Sequence, residues 1–395
     1  MSQRIRNFSI IMAIAGLLGI QSCKKDTEKT PTNNIPTGIR PTIDYNKLTA
    51  STPYKSLFLN NEGDSIVDLS AGNTRYKMFQ ALNYYLGAAV RDSKALDSML
   101  MRSQYANSGS PFVDITSLNI VGSGLNTSTF QLRNITAFSE NKEAEIARKR
   151  IDLLFGEMAL LSTHINDTAA KGKAGKTGTY LADARGIEVA QIIQKSLIGS
   201  AQLDYISNVL LGAGLDANNQ TIVSGKKYTQ LEQNWDEAYG FLTLNSVFLL
   251  NSTDATKGTP ESFLGSYIWE FNKAAYAKIY PAFLKGRAAI ANNDIPEMKS
   301  QALFIRTEME KAIALSAIGY LNKWKSGTTD AARMHAIAEG LGFIYSIRYC
   351  NINGVNAQFS DAILLGLVGS PDGYWDLTNT KINAAIDAIT LKFKL

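Results

Sequence analysis

The chain runs to 395 residues, 45% of them hydrophobic and 19% charged, with a formal net charge of +5. So slight a positive surplus excludes a nucleic-acid partner. A body of this length buries roughly three quarters of its unfolded surface, and single cores stop growing near about 250 to 300 residues, so one large domain with two lobes, or two close domains, is expected.

The N-terminus carries Arg4 and Arg6, an apolar run from Phe8 to Ile20, and then Gln21-Ser22-Cys23. These are the basic, apolar and cleavage regions of a secretory signal. A permanent membrane span needs about 20 apolar residues. This run is shorter, and Lys24, Lys25 and Asp26 follow the cysteine at once. Ile20-Gln21-Ser22-Cys23 resembles a lipobox, so residues 1–22 read as a lipoprotein signal peptide and Cys23 as the lipidated N-terminus. Several acyl chains, at about 0.8 kcal/mol per buried methylene, hold a protein stably on its membrane. The alternative is an ordinary cleaved signal that leaves Cys23 as a free thiol. Removing residues 1–22 takes away Arg4 and Arg6 alone, and the formal charge falls from +5 to +3. With Cys23 lipidated, Cys350 has no partner for a disulfide, and the fold must be held by its own core.

Residues 23–45 are polar and proline-bearing, a solvated tether between lipid and fold. From 46 to 395 helical patterning dominates, and lobes at about 46–225 and 226–395 are one division of it. Helices are predicted over 73–88 and 93–105. The β-branched runs Phe112-Val113-Asp114-Ile115 and Ile120-Val121 allow at most a short hairpin near 112–121. The segment 141–167 is the clearest helix. Ala147, Ile151, Leu154, Met158, Leu161 and Ile165 recur at spacings of four and three, while Glu145, Arg148, Lys149 and Asp152 take the other faces. Further helices are predicted at 181–211, 228–249, 261–291, 295–324, 330–350 and 380–393. Asn73, Asp330 and Ser360 are candidate N-caps, and Pro296 sits in a first turn, where its missing N–H costs nothing. Gaps at 106–127, 168–179, 213–227, 251–260 and 351–358, rich in Gly, Ser, Thr and Asn, read as loops. No fixed-period repeat is found. The class is all-α, a helical bundle.

Ala170 to Thr177 satisfies a relaxed phosphate-loop pattern, but such a loop needs a strand leading in and a helix leading out. Here it follows the 141–167 helix, and a flexible basic loop is the better reading. His164 and His335 are the only histidines, and neither belongs to a His-Glu-x-x-His pair. His164, near a helix end, reads as a histidine complementing the helix dipole. His335 and Glu339 lie four apart on one helix face, about 5–6 Å between Cβ atoms, and are the candidate metal ligands. A metal needs further donors from another helix, for which Glu232 and Asp236, again one face, are candidates. The opposing reading makes all four satisfied polar groups, since structural ion pairs cluster in the same way. Gly340 and Gly342 inside the same helix point to close approach of a neighbouring backbone. A further polar stripe, Arg185, Glu188, Gln191 and Lys195, runs along an otherwise apolar helix, either as a solvated face or as the lining of a cavity between helices. Trp235, Tyr239, Trp324, Tyr345 and Tyr349 read as core or groove aromatics rather than a sugar platform.

Three stretches carry a resemblance: Tyr180 to Gly199, with Ala184-Arg185-Gly186-Ile187-Glu188 at its centre; Asn234-Trp-Asp-Glu-Ala-Tyr-Gly240; and His335-Ala-Ile-Ala-Glu-Gly-Leu-Gly-Phe343. Together they resemble an uncharacterised Bacteroidetes lipoprotein family, a domain of unknown function of about 400 residues found beside imelysin-like iron-uptake proteins. The resemblance spans about residues 45–395. More distantly the chain is similar to imelysin, an all-helical fold of two bundle-like halves described as a peptidase and implicated in iron acquisition. The His-x-x-Glu of imelysin falls on Arg185-Gly-Ile-Glu188, where Glu188 alone matches. An arginine stays protonated and cannot ligate a metal.

The resemblance implies a lipid-anchored outer-membrane protein, facing the periplasm or the cell surface. It would be a non-enzymatic binding component associated with iron or haem uptake, with outer-membrane iron-uptake proteins as partners and iron or another divalent metal as cofactor. Two alternatives stay open. One is an imelysin-like metal-dependent hydrolase with Glu188, Glu232, Asp236, His335 and Glu339 around one cavity. The other is a glycan-binding surface lipoprotein.

Overall fold

Apolar spacing of three and four recurs through most of the chain, and the computed structural model turns those segments into helices. It describes residues 39–245 and 261–395. The signal peptide, Cys23, the tether as far as residue 38 and the loop expected at 251–260 lie outside the described residues. In chain order the longer helices are α1 (Ser70–Leu86), α2 (Ser98–Ala106), α3 (Ala144–Ser162), α4 (Val189–Leu197), α5 (Gln230–Leu242), α6 (Phe263–Phe271), α7 (Lys273–Ala291), α8 (Ile295–Ser326), α9 (Asp330–Ser346), α10 (Ala357–Val368) and α11 (Asn379–Phe393). The fold is all-α. No helix among the described residues is long and apolar enough to cross a membrane.

Local chemistry sets the boundaries. Thr229 and Glu232 form a capping box at the start of α5, each side chain bonded to the other's backbone N–H. Asp294 caps α8, and Pro296 lies in its first turn as expected. Thr329, one residue before Asp330, caps α9, and Asn356 rather than Ser360 caps α10. Ser360 is instead buried, donating to the Ile344 carbonyl at 2.6 Å. The helix predicted at 73–88 begins at Ser70, so Asn73 falls inside it. The single helix expected over 261–291 breaks at Asn272, whose amide donates to the Glu308 carbonyl and carboxylate at 3.1 and 2.8 Å. That contact holds Asn272 outside helical geometry, with φ near −136°. Beyond α4 the chain continues through π-helical turns over Ile198–Leu210.

A two-stranded hairpin does form, but not at 112–121, where a single bridge joins Ile115 and Ile120. It pairs β1 (Gly175–Thr177) with β2 (Tyr180–Ala182), antiparallel, with Gly175 opposite Ala182. Gly178 turns it with φ near +57°, a conformation glycine adopts without a Cβ penalty. Lys176 and Thr177 are therefore strand residues, and no helix leaves the segment that matched the phosphate-loop pattern.

The long helix α8 packs along α7 and α9 and also meets α6 and α11. The described residues share one compact unit, Thr37–Leu395. Trp235, Tyr239, Tyr345 and Tyr349 are almost wholly buried and Trp324 nearly so, as core aromatics should be. The packed body reaches back into the segment read as tether. Arg40 is buried against Glu232, and the Ile43 backbone bonds the Asn292 side chain in both directions.

Candidate functional site

Helices α4 and α9 pack face to face, and at Gly342 the contact is close. A Cβ there would lie 2.4 Å from the Lys195 Cβ. This approach draws the polar stripe of α4 onto the polar face of α9, and five side chains close into a ring. Lys195 Nζ lies 2.9 Å from Glu339 Oε1, and Glu339 Oε1 lies 3.7 Å from His335 Nε2. His335 Nδ1 meets Glu188 Oε2 at 2.7 Å. The Gln191 amide donates to Glu188 Oε1 at 3.5 Å, and Lys195 returns to Gln191 Oε1 at 2.7 Å. The stripe is thus the lining of a helix interface and not a solvated face, except for Arg185. That residue leaves the ring and donates to the backbone carbonyls of Val368 and Ser370.

The ring is buried on its Lys195–Glu339 side and opens toward solvent at His335, whose side chain is 26% exposed. Lys195 is 1% exposed, Glu339 5% and Glu188 8%. Tyr180 of β2 stacks on the His335 imidazole, ring centroids 4.1 Å apart and nearly parallel. On the inner side the Lys195 ammonium sits 5.2 Å above the Tyr267 ring of α6, and Tyr320 of α8 lies beside Glu339. Burial holds the Lys195 ammonium below its usual range, with the Glu339 charge offsetting part of the loss. The same burial, reinforced by Glu339, pushes the Tyr267 and Tyr320 phenols well up. Glu339 Oε2 has no hydrogen-bond partner among the described residues.

Lys195 also donates to Gln194 Oε1, and Gln194 donates on to Asn83 of α1. Gln194 and Tyr267 form part of the wall of a cavity of about 330 Å³ between α1, α4 and α6, with Asn83, Tyr84, Glu261 and Phe263 among the other lining residues. The buried ammonium thus stands directly behind an open polar hollow.

Glu232 and Asp236 do not join this ring. They face the other way from α5, into a second buried network. Arg287 of α7, wholly buried, donates to Glu232 Oε1 at 3.1 Å and to Asp236 Oδ1 at 3.0 Å. Arg40 grips Glu232 from the other side at 2.7 and 2.9 Å, and the Tyr54 hydroxyl donates to Asp236 at 2.9 Å. Two cations meet two carboxylates here. Burial would raise the Glu232 carboxyl, but Arg287 and Arg40 outweigh it and hold the group below its usual range. Burial pushes Asp236 up to about 6 against the pull of Arg287. His164 bonds Asp167 at 2.8 Å, on the surface at the end of its helix.

A metal at His335 and Glu339 meets two obstacles. The imidazole presents opposite edges to Glu188 and Glu339, so both carboxylates cannot share one ion with it. Lys195 already supplies the cation at Glu339. Among the described residues no group of three or more His, Cys, Asp or Glu side chains is placed to hold a metal ion. The residues present do not fit a resident metal.

Residues 53–395, almost all of the described body, match the domain of unknown function DUF4856. The chain belongs to that family. No curated protein and no solved structure matches it. The family match covers the whole Lys195 ring and all of the second network except Arg40, which precedes it. Sequence patterning found Glu188, Gln191, Lys195, His335 and Glu339 but treated them as two features. It missed Gln194, Tyr267 and Tyr180, which look like ordinary helix and hairpin residues until the helices are packed.

Proposed function

We propose that this chain is a lipoprotein anchored on the outer membrane through Cys23, acting as a non-enzymatic binding component associated with iron or haem uptake. The N-terminal signal pattern supports the anchor, and the resemblance to imelysin-type proteins read from the sequence motifs supports the uptake role. The observation that carries the binding part is the buried Lys195 behind the Gln194–Tyr267 wall of the 330 Å³ cavity. Taking the Lys195–Glu339 pair out of water costs stability that its own attraction only roughly repays, and perturbed charges of this kind cluster at functional sites as well as in structural ion-pair networks. Both His335 nitrogens face carboxylates, which favours a fixed polar relay over a mobile base. On this reading iron arrives as part of a larger ligand and not as a bare ion held by His335 and Glu339.

The hydrolase alternative required five residues around one cavity, and Glu232 and Asp236 belong to another network. The glycan alternative gains one specific observation. The cavity joins amides (Asn83, Gln194) with the rings of Tyr84, Phe263 and Tyr267, the mixture that neutral hydroxyl-rich ligands require. Calorimetric titration of residues 24–395 with haem, ferric iron, zinc and a panel of oligosaccharides separates these readings. Haem binding at micromolar Kd, weakened about tenfold or more by Gln194→Ala, is the expected result. Saccharide binding with the same dependence promotes the glycan reading. Zinc or iron binding abolished by His335→Ala overturns the assignment of the site, and silence from every probe overturns capture of a small ligand.

A further inference from the structure

A separate feature lies on the outer side of α3. Ile146, Leu153 and Leu160 recur at intervals of seven residues and are 65%, 67% and 69% exposed. Seven residues fall about 20° short of two full turns, so the three side chains form one ridge. The inner side of the helix, with Ile151, Leu154, Phe155, Met158 and Leu161, already serves the core. A single exposed leucine is ordinary. Three on one heptad position form a narrow apolar ridge, half of the a/d repeat of a full coiled-coil seam, with charged residues between them.

Charge on the same ridge is arranged about the same centre. Arg150 lies three residues before Leu153 and Glu157 four after it, both exposed. Neither forms an ion pair among the described residues, and the guanidinium of Arg150 rests only on the Tyr345 ring at 5.0 Å. Asp152, on the other flank, is already held by Arg133 at 3.4 Å. In an antiparallel helix pair with a two-fold axis at Leu153, residue numbers facing each other sum to about 306. Leu153 then meets its own copy, Ile146 meets the partner's Leu160, and Arg150 lies beside the partner's Glu157. Each of the last two contacts occurs twice, as an isologous interface requires.

We propose that this ridge is the contact face of a homodimer in which α3 of one copy lies antiparallel on α3 of the other about Leu153. Stable dimers bury about 1,200–2,000 Å² in total. A single helix pair supplies less, and Met99 of α2, 64% exposed and tied to α3 through Arg102, widens the apolar strip. The dimer is therefore of moderate strength.

Sedimentation equilibrium on residues 24–395, which include the whole compact unit, tests this between about 1 and 100 μM. The wild type should pass from monomer to dimer within that range. Leu153→Glu, at an exposed position, should stay monomeric with unchanged helical circular dichroism. Arg150→Glu should weaken the dimer about tenfold or more, and Arg150→Glu with Glu157→Arg should restore it. That rescue distinguishes the antiparallel pairing from general stickiness. A wild type that is monomeric at about 100 μM, or a dimer indifferent to Leu153→Glu, overturns the proposal. Pelleting of a monomeric wild type with phosphatidylglycerol vesicles, lost in Leu153→Glu, overturns it in favour of contact with the bilayer.

Discussion

Arg287 lies with none of its surface exposed between Glu232 and Asp236, and Arg40 completes the set from the far end of the sequence. Each carboxylate therefore has its own history of burial and neutralisation, and Asp236 is the one left short. Its folded value of about 6 stands above its unfolded value of 3.8, so between about pH 4 and 6 the folded state holds the additional proton. Stability from this group is full below about pH 4 and is lost as pH rises through about 6. The stability of the wild type minus that of Asp236→Asn, from urea denaturation, should therefore shrink between about pH 4 and 7. A difference that grows with pH contradicts the raised carboxyl. Glu232 and Asp236 were legible as a pair on one helix face. Their partners were not, because Arg287 comes from α7, Arg40 from a segment that reads as tether, and neither carries a motif.

Helix packing decides which glycines matter. Two stand in α9, and both read as marks of close approach beside His335 and Glu339. Only Gly342 bears that out, since a Cβ on Gly340 would make ordinary contacts, the nearest at 3.5 Å to Tyr320. Gly342→Ala should cost about 1–3 kcal/mol by forcing α4 from α9 at Lys195. Gly340→Ala should be neutral or stabilise by up to about 1 kcal/mol, because alanine favours the helix where space allows. Equal losses in thermal denaturation would mean that the α4–α9 approach is not the constraint. Helix existence was readable from apolar spacing, but α10 was marked only by a candidate cap at Ser360, four residues late, and the break at Asn272 depends on Glu308 of another helix. The hairpin was misplaced because β-branched residues at 112–121 outweighed the turn chemistry of Gly178.

The body as a whole is a helical unit that needs no disulfide, since Cys350 is buried and free. If Cys23 carries the anchor, wild type fractionates with membranes and Cys23→Ser is released to the soluble fraction, with the folded body unchanged. Release of neither, or of both, removes the anchor from the account. On the proposed function, the Lys195–Glu339 charge is held for a ligand and not for the fold. A buried pair that adds little to the fold can be replaced by apolar residues of similar volume without loss. The direct measurement is the unfolding free energy of Lys195→Met combined with Glu339→Leu. The double variant should be at least as stable as wild type. A clear loss of stability in the double variant would contradict that reading and make the ring a structural staple.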